Sequence, residues 1–150
     1  MLGKILIAFV CLVSWLVVFC FGAFVDTNPM RANLRTQLNA HDFVIVMISW
    51  IPTNLAFLSI LSALFGSLCR NLLRGVELGI VVPPLLQTKR ILSGTITGFI
   101  LYLIAMAGAY LIMDNPFETT TPEQYFKTAG VISLLTFSAG FRPDRQFFKQ

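Results

Sequence analysis

The stretch SWIPTNLAFLSILSALFGS, residues 49–67, decides the fold. It carries no charge, has a proline at its fourth position and one amide, Asn54, and is otherwise apolar but for recurring small serine and threonine residues. Such a stretch reads as a long hydrophobic helix. A bend is expected at Pro52, which has no N–H to offer the carbonyl of Ile48. Extended to Phe43 and Leu68 it becomes a run of about 26 residues, or about 39 Å of helix. That exceeds a hydrocarbon core of about 30 Å, so the helix must tilt or project.

The rest of the chain fits around a membrane-spanning element of this kind. Of its 150 residues, 56% are apolar and only 12% charged, where soluble domains carry about a quarter charged residues. Mean hydropathy is +0.77. The expected fold is an all-α membrane protein with four transmembrane helices, at about 5–25, 43–68, 91–113 and 122–141. The first follows Lys4 and resembles a signal peptide. Its apolar core is too long for one and no clean small-x-small site follows, so a retained span is expected. Thr121-Pro122-Glu123-Gln124 starts the fourth, with a capping residue, a proline at the first position and an acid in the first turn.

Between the first two spans, Asn28 and Pro29 open a short amphipathic segment, about 29–40, in which Met30, Leu34 and Leu38 recur every fourth residue. It is expected to lie along the outer interface. The connection from Cys69 to Arg90 is apolar but broken by Gly75, Gly79 and Pro83-Pro84. It is too short to span, leaving a loop that covers the bundle end or a re-entrant segment over 75–86. One transmembrane domain over 1–150 accounts for the chain, with no separate soluble domain.

Basic residues set the orientation. Lys4, the inner basic surface of Arg70, Arg74, Lys89, Arg90, Arg142 and Arg145, and Lys149 fall on one side. Only Arg31, Arg35 and Lys127 fall on the other. Both termini are therefore expected in the cytoplasm, with the chain in a cell (inner) membrane and its basic side against anionic lipid headgroups. The net charge of +4 follows from this distribution and is not read as a nucleic-acid footprint.

Chemistry is sparse. Three cysteines without a Cys-x-x-Cys and a single histidine, His41, supply no metal or haem ligand set. No catalytic motif is present, so neither an enzyme nor a cofactor is expected. Residues 5–25, 43–68, 91–113 and 128–141 also contain no Asp, Glu, Lys, Arg or His. That disfavours proton relays and charge-coupled transport, but not a channel lined by hydroxyls, amides and carbonyls.

Small residues carry the pattern that remains. On the second helix Ser49, Thr53, Ser59, Ala63 and Gly66 share a face, as candidate pore-lining or packing positions. Asn54 points nearly the opposite way and must meet another helix, another subunit or water. On the third, Gly94 and Gly98 form a Gly-x-x-x-Gly and continue towards Ala105, Gly108 and Ala109. On the fourth, Ala129, Ser133, Thr136 and Gly140 form a stripe. Small faces let helix backbones approach where lipid supplies no hydrophobic drive. Two functions follow as expectations. One is a homo-oligomeric channel built around the second helix. The alternative is a non-conducting structural or accessory subunit that binds other membrane subunits.

Overall fold

The computed structural model describes residues 2–25, 44, 45, 48, 50–77, 84–113, 116, 117 and 121–141. Among these residues there are four long helices and no strand: α1 (Leu2–Val25), α2 (Ile51–Glu77), α3 (Pro84–Ile112) and α4 (Pro122–Phe141). The expected interfacial segment at 29–40 lies outside the described residues, as do Ser49, Arg142 and Arg145. Within α1, α2 and α3, the stretches Ile5–Ala23, Ile51–Arg74 and Gln87–Ile112 are long and apolar enough to cross a bilayer. At 20 residues, α4 is about 30 Å long, with polar residues in its first turns.

Two helices run further than their apolar stretches. Cys69–Glu77 was expected to leave the second span as loop, yet it continues α2, and 84–90 already belongs to α3. A connection expected over 22 residues thus shrinks to 78–83, which lies outside the described residues. The reason is physical. Arg70 and Arg74 end the part of a helix that tolerates hydrocarbon, but they are good helix formers and do not end the helix. Pro84 occupies the first helical position, where a missing N–H costs nothing. The two helices, of 27 and 29 residues, reach about 40 Å and project beyond a hydrocarbon layer of about 30 Å.

The start of α2 also differs from a single bent span. Residues 44, 45 and 48 are helical, Trp50 forms a bend, and regular helix begins at Ile51. Pro52 therefore stands in the first turn of α2. At the same end of the bundle α4 starts with a reciprocal cap. Gln124 donates its backbone N–H to Thr121 Oγ1 (3.3 Å), and Thr121 N–H donates to Gln124 Oε1 (3.1 Å), satisfying two exposed helix-end donors. The Glu123–Lys127 ion pair beside it (2.8 Å) is open to solvent and contributes little.

Neighbours alternate in direction. Cys11 and Val18 of α1 meet Leu61 and Asn54 of α2, an antiparallel pairing. Gly94 and Gly98 of α3 meet Ser67 and Ala63, also antiparallel. Tyr125 and Gly140 of α4 meet Asn54 and Ser67, so α4 runs parallel to α2. In an up-down bundle these two are the diagonal pair. Here they form the most extensive interface, while α1 and α3 share none of note among the described residues. The bundle is flattened along one diagonal, with α2 in the middle. Accordingly, 61% of the residues in the most apolar stretch of α2 are buried, against 17% in α1 and α3.

Small residues permit this collapse. A Cβ on Gly140 would strike the carbonyl oxygen of Ala63, and one on Gly66 would strike that of Phe137. A Cβ on Gly98 would strike the Ala63 side chain. The contact on α3 follows Gly94, Gly98, Tyr102 and Met106, opposite Ser59, Ala63 and Ser67. These are rows at four-residue spacing, the inclined ridges along which helices interdigitate. The stripe expected to pass through Ala105, Gly108 and Ala109 therefore leaves the interface after Gly98. Ala105 is exposed, and no atom lies within 4 Å of where a Gly108 Cβ would be. Gly108→Leu is expected to change stability by no more than about 0.5 kcal/mol, as for ordinary surface positions. Detergent unfolding curves superimposable on the wild type would show it.

Candidate functional site

The most organised polar feature lies where α2 begins. Pro52 leaves the Ile48 carbonyl without its helical donor, and the side chain of Asn54 takes that role. Its Nδ2 donates to Ile48 O at 2.8 Å and, with its second hydrogen, to Val18 O of α1 at 2.7 Å. Its Oδ1 accepts from the Tyr125 hydroxyl of α4 at 2.7 Å. The Phe19 carbonyl stands 3.1 Å from that hydroxyl as a second acceptor. Asn54 is completely buried and Tyr125 nearly so. Both amide hydrogens and the amide oxygen thus have partners, which removes the cost of placing an amide among apolar side chains.

The neighbourhood is arranged to hold Tyr125. Its hydroxyl occupies the space a side chain on Gly22 would fill. Its ring packs on Phe19, which stacks on Trp15 at 5.1 Å between centroids. Trp15 Nε1 in turn donates to Ser133 Oγ of α4 at 3.1 Å. On the other side of α2 the Tyr102 hydroxyl of α3 donates to Pro52 O at 2.7 Å. The first turn of α2 is therefore tied by side chains to all three other helices.

The other candidate positions are dispersed along α2 and filled by protein. Ser59 and Ala63 are fully buried and Gly66 is buried. Ser59 donates to Ala56 O (2.8 Å), Thr53 to Trp50 O (3.0 Å) and Thr136 to Ile132 O (2.9 Å). These hydroxyls serve their own helices. Ser67 instead crosses to Gly140 O at 3.2 Å. Ala129, Ser133, Thr136 and Gly140 all lie on the buried side of α4. Asn71, next in the row after Ser67, is buried with neither amide atom hydrogen-bonded.

Charge gathers at the opposite end of the bundle from the Asn54 cluster. Arg70 and Arg74 lie in the last turns of α2, Lys89 and Arg90 in the first turns of α3, and Lys4 in the first turn of α1. The helix directions bring these turns together at one end. Among the described residues no group of three or more His, Cys, Asp and Glu side chains is placed to hold a metal ion.

Sequence reasoning missed the two tyrosines and Trp15. Tyr125 lies one turn before Ala129 on the same small-residue stripe of α4. Tyr102 sits one turn after Gly98. Continuing each stripe by one turn, to a larger residue with a polar tip, was the signal available. No protein-family model, curated protein or solved structure matches the chain.

Proposed function

We propose that the chain is a non-catalytic, non-conducting subunit of a cell (inner) membrane, acting by helix association with other membrane subunits or with copies of itself. One observation supports this reading over a pore built around α2. The small, hydroxyl-bearing side of α2 is occupied by the backbones of α3 and α4, and its hydroxyls are bonded within the bundle. A path lined by Ser59, Ala63 and Gly66 would need those helices to part. The basic end, with Arg70, Arg74, Lys89 and Arg90, faces the cytoplasm under the positive-inside rule and meets anionic headgroups there.

The test is accessibility. In a background lacking Cys11, Cys20 and Cys69, Ser59→Cys in vesicles is expected to resist a water-soluble thiol reagent until the protein is denatured. Rapid labelling in the folded state, together with ion flux that the label blocks, would sink the reading. A homo-oligomeric channel is the second reading. It is favoured by the uncovered small positions Ala105 and Gly108 on α3, which let a neighbouring copy approach closely. Any conducting path would then run between copies.

A further inference from the structure

On the side of α2 away from α3, helices α1 and α4 touch only near Trp15, Phe19 and Tyr125. Further along they separate and leave an open groove of about 260 Å³ above α2. Leu12, Trp15, Phe65, Leu134 and Phe137 form its walls, with Gly130 at one edge. Ser62 and Ser133 also line it; Ser133 Oγ accepts from Trp15 Nε1 and Ser62 is buried, so the groove presents mainly hydrocarbon. Its residues sit at the middle of their helices: Leu12 within Ile5–Ala23, Phe65 within Ile51–Arg74 and Leu134 within Pro122–Phe141.

We propose that this groove holds one acyl chain of a bilayer phospholipid; this rests on the membrane-spanning reading above. Three features select that occupant. The mouth is continuous with lipid-facing surface, since Leu12 is 42% exposed and Leu134 69%. Its mid-helix depth places it level with acyl chains rather than headgroups. Its volume is too small for another helix, which is about 10 Å across with its side chains, and falls just below the range of sites for larger ligands. A hydrocarbon chain is flexible and matches a lining made mostly of Leu, Phe and Trp side chains. Left without one, the groove walls would lose dispersion contacts along their length.

Gly130 makes the proposal testable, because no atom lies within 4 Å of where its Cβ would be. A leucine there enters the groove instead of clashing with the fold. The full-length protein is reconstituted in vesicles of a phospholipid carrying a photoactivatable diazirine midway along one acyl chain. After illumination, labelled positions are mapped by mass spectrometry. Wild type should label at Leu12, Leu134 and Phe137 several-fold above Ile96 and Ile104, which lie exposed on α3. Gly130→Leu should abolish that excess and leave the α3 labelling unchanged, with an unaltered helical circular dichroism spectrum. Leu134→Trp, which blocks the mouth from a surface position, should do the same. Groove labelling no greater than that of α3, or an excess that survives both substitutions, overturns the proposal. Absence of labelling on α3 as well would overturn the membrane-spanning reading with it.

Discussion

Gly140→Leu is expected to be the most damaging single substitution in the bundle, costing about 3 kcal/mol or more, the upper range for overpacking. The Cβ alone would meet the carbonyl oxygen, carbonyl carbon and Cα of Ala63. These are backbone atoms of the central helix and cannot swing aside as a side chain can. The leucine must therefore push α4 away from α2 along the diagonal on which the bundle is flattened. Ser67 would lose its bond to Gly140 O in the same movement. Reversible unfolding in mixed micelles, followed by near-ultraviolet circular dichroism, measures the loss. Ala63→Gly should not rescue the variant, because the obstruction is mainly backbone. Wild-type stability for Gly140→Leu would mean that α2 and α4 do not approach this closely.

Asn54→Leu should follow at about 3 kcal/mol. Leucine keeps nearly the same volume, so the loss comes from hydrogen bonding and not from a cavity. Three bonds disappear, at about 0.6 kcal/mol each for membrane helices. The Ile48 carbonyl is then left without a donor, because the proline has already removed its backbone partner, and an orphaned buried group adds about 1–3 kcal/mol. Tyr125→Phe should cost about 2 kcal/mol, from one lost bond at about 0.6 kcal/mol and a buried Asn54 Oδ1 left without its donor at about 1–3 kcal/mol. The tyrosine hydroxyl has the Phe19 carbonyl as an alternative acceptor, so it is not stranded by the loss of Asn54. A double-mutant cycle between the two positions should return a coupling of about 0.5 kcal/mol or more. If restoring the N–H with Pro52→Ala lowers the cost of Asn54→Leu to about 1.2 kcal/mol, for the two bonds to Val18 and Tyr125 that remain lost, the carbonyl is the main term. If it does not, the account given for Asn54 is wrong.

Three of the four long helices were legible because they are long and apolar enough to cross a bilayer, which imposes length and composition on a segment. Thr121 to Gln124 was legible for a different reason: a capping sequence is local, and α4 starts at Pro122 where those residues place it. The far ends of α2 and α3 were not. Hydropathy reports where a helix leaves lipid, and Arg70 leaves lipid without leaving the helix. The course of the α3 contact was also hidden. A helical wheel projects all positions onto one circle, whereas packing follows an inclined ridge, so Ala105 looked equivalent to Gly98 and is not. Asn54 was visible as an anomaly, and its need for a partner followed from the cost of a buried amide. That the partners would be Val18, Ile48 and Tyr125 depended on contacts spanning up to 71 positions in the chain, which no local pattern encodes.

The pairing of Asn54 has a consequence for how the protein is made. Two of its three bonds draw on Val18 and Ile48, which leave the ribosome before it does, but the third needs Tyr125, 71 positions later in the chain. The glycine contacts of α2 likewise wait for α3 and α4. A nascent chain that has inserted only its first two helices therefore presents an incompletely bonded amide and an uncovered small face inside the membrane. Completion of α4 ends this exposure.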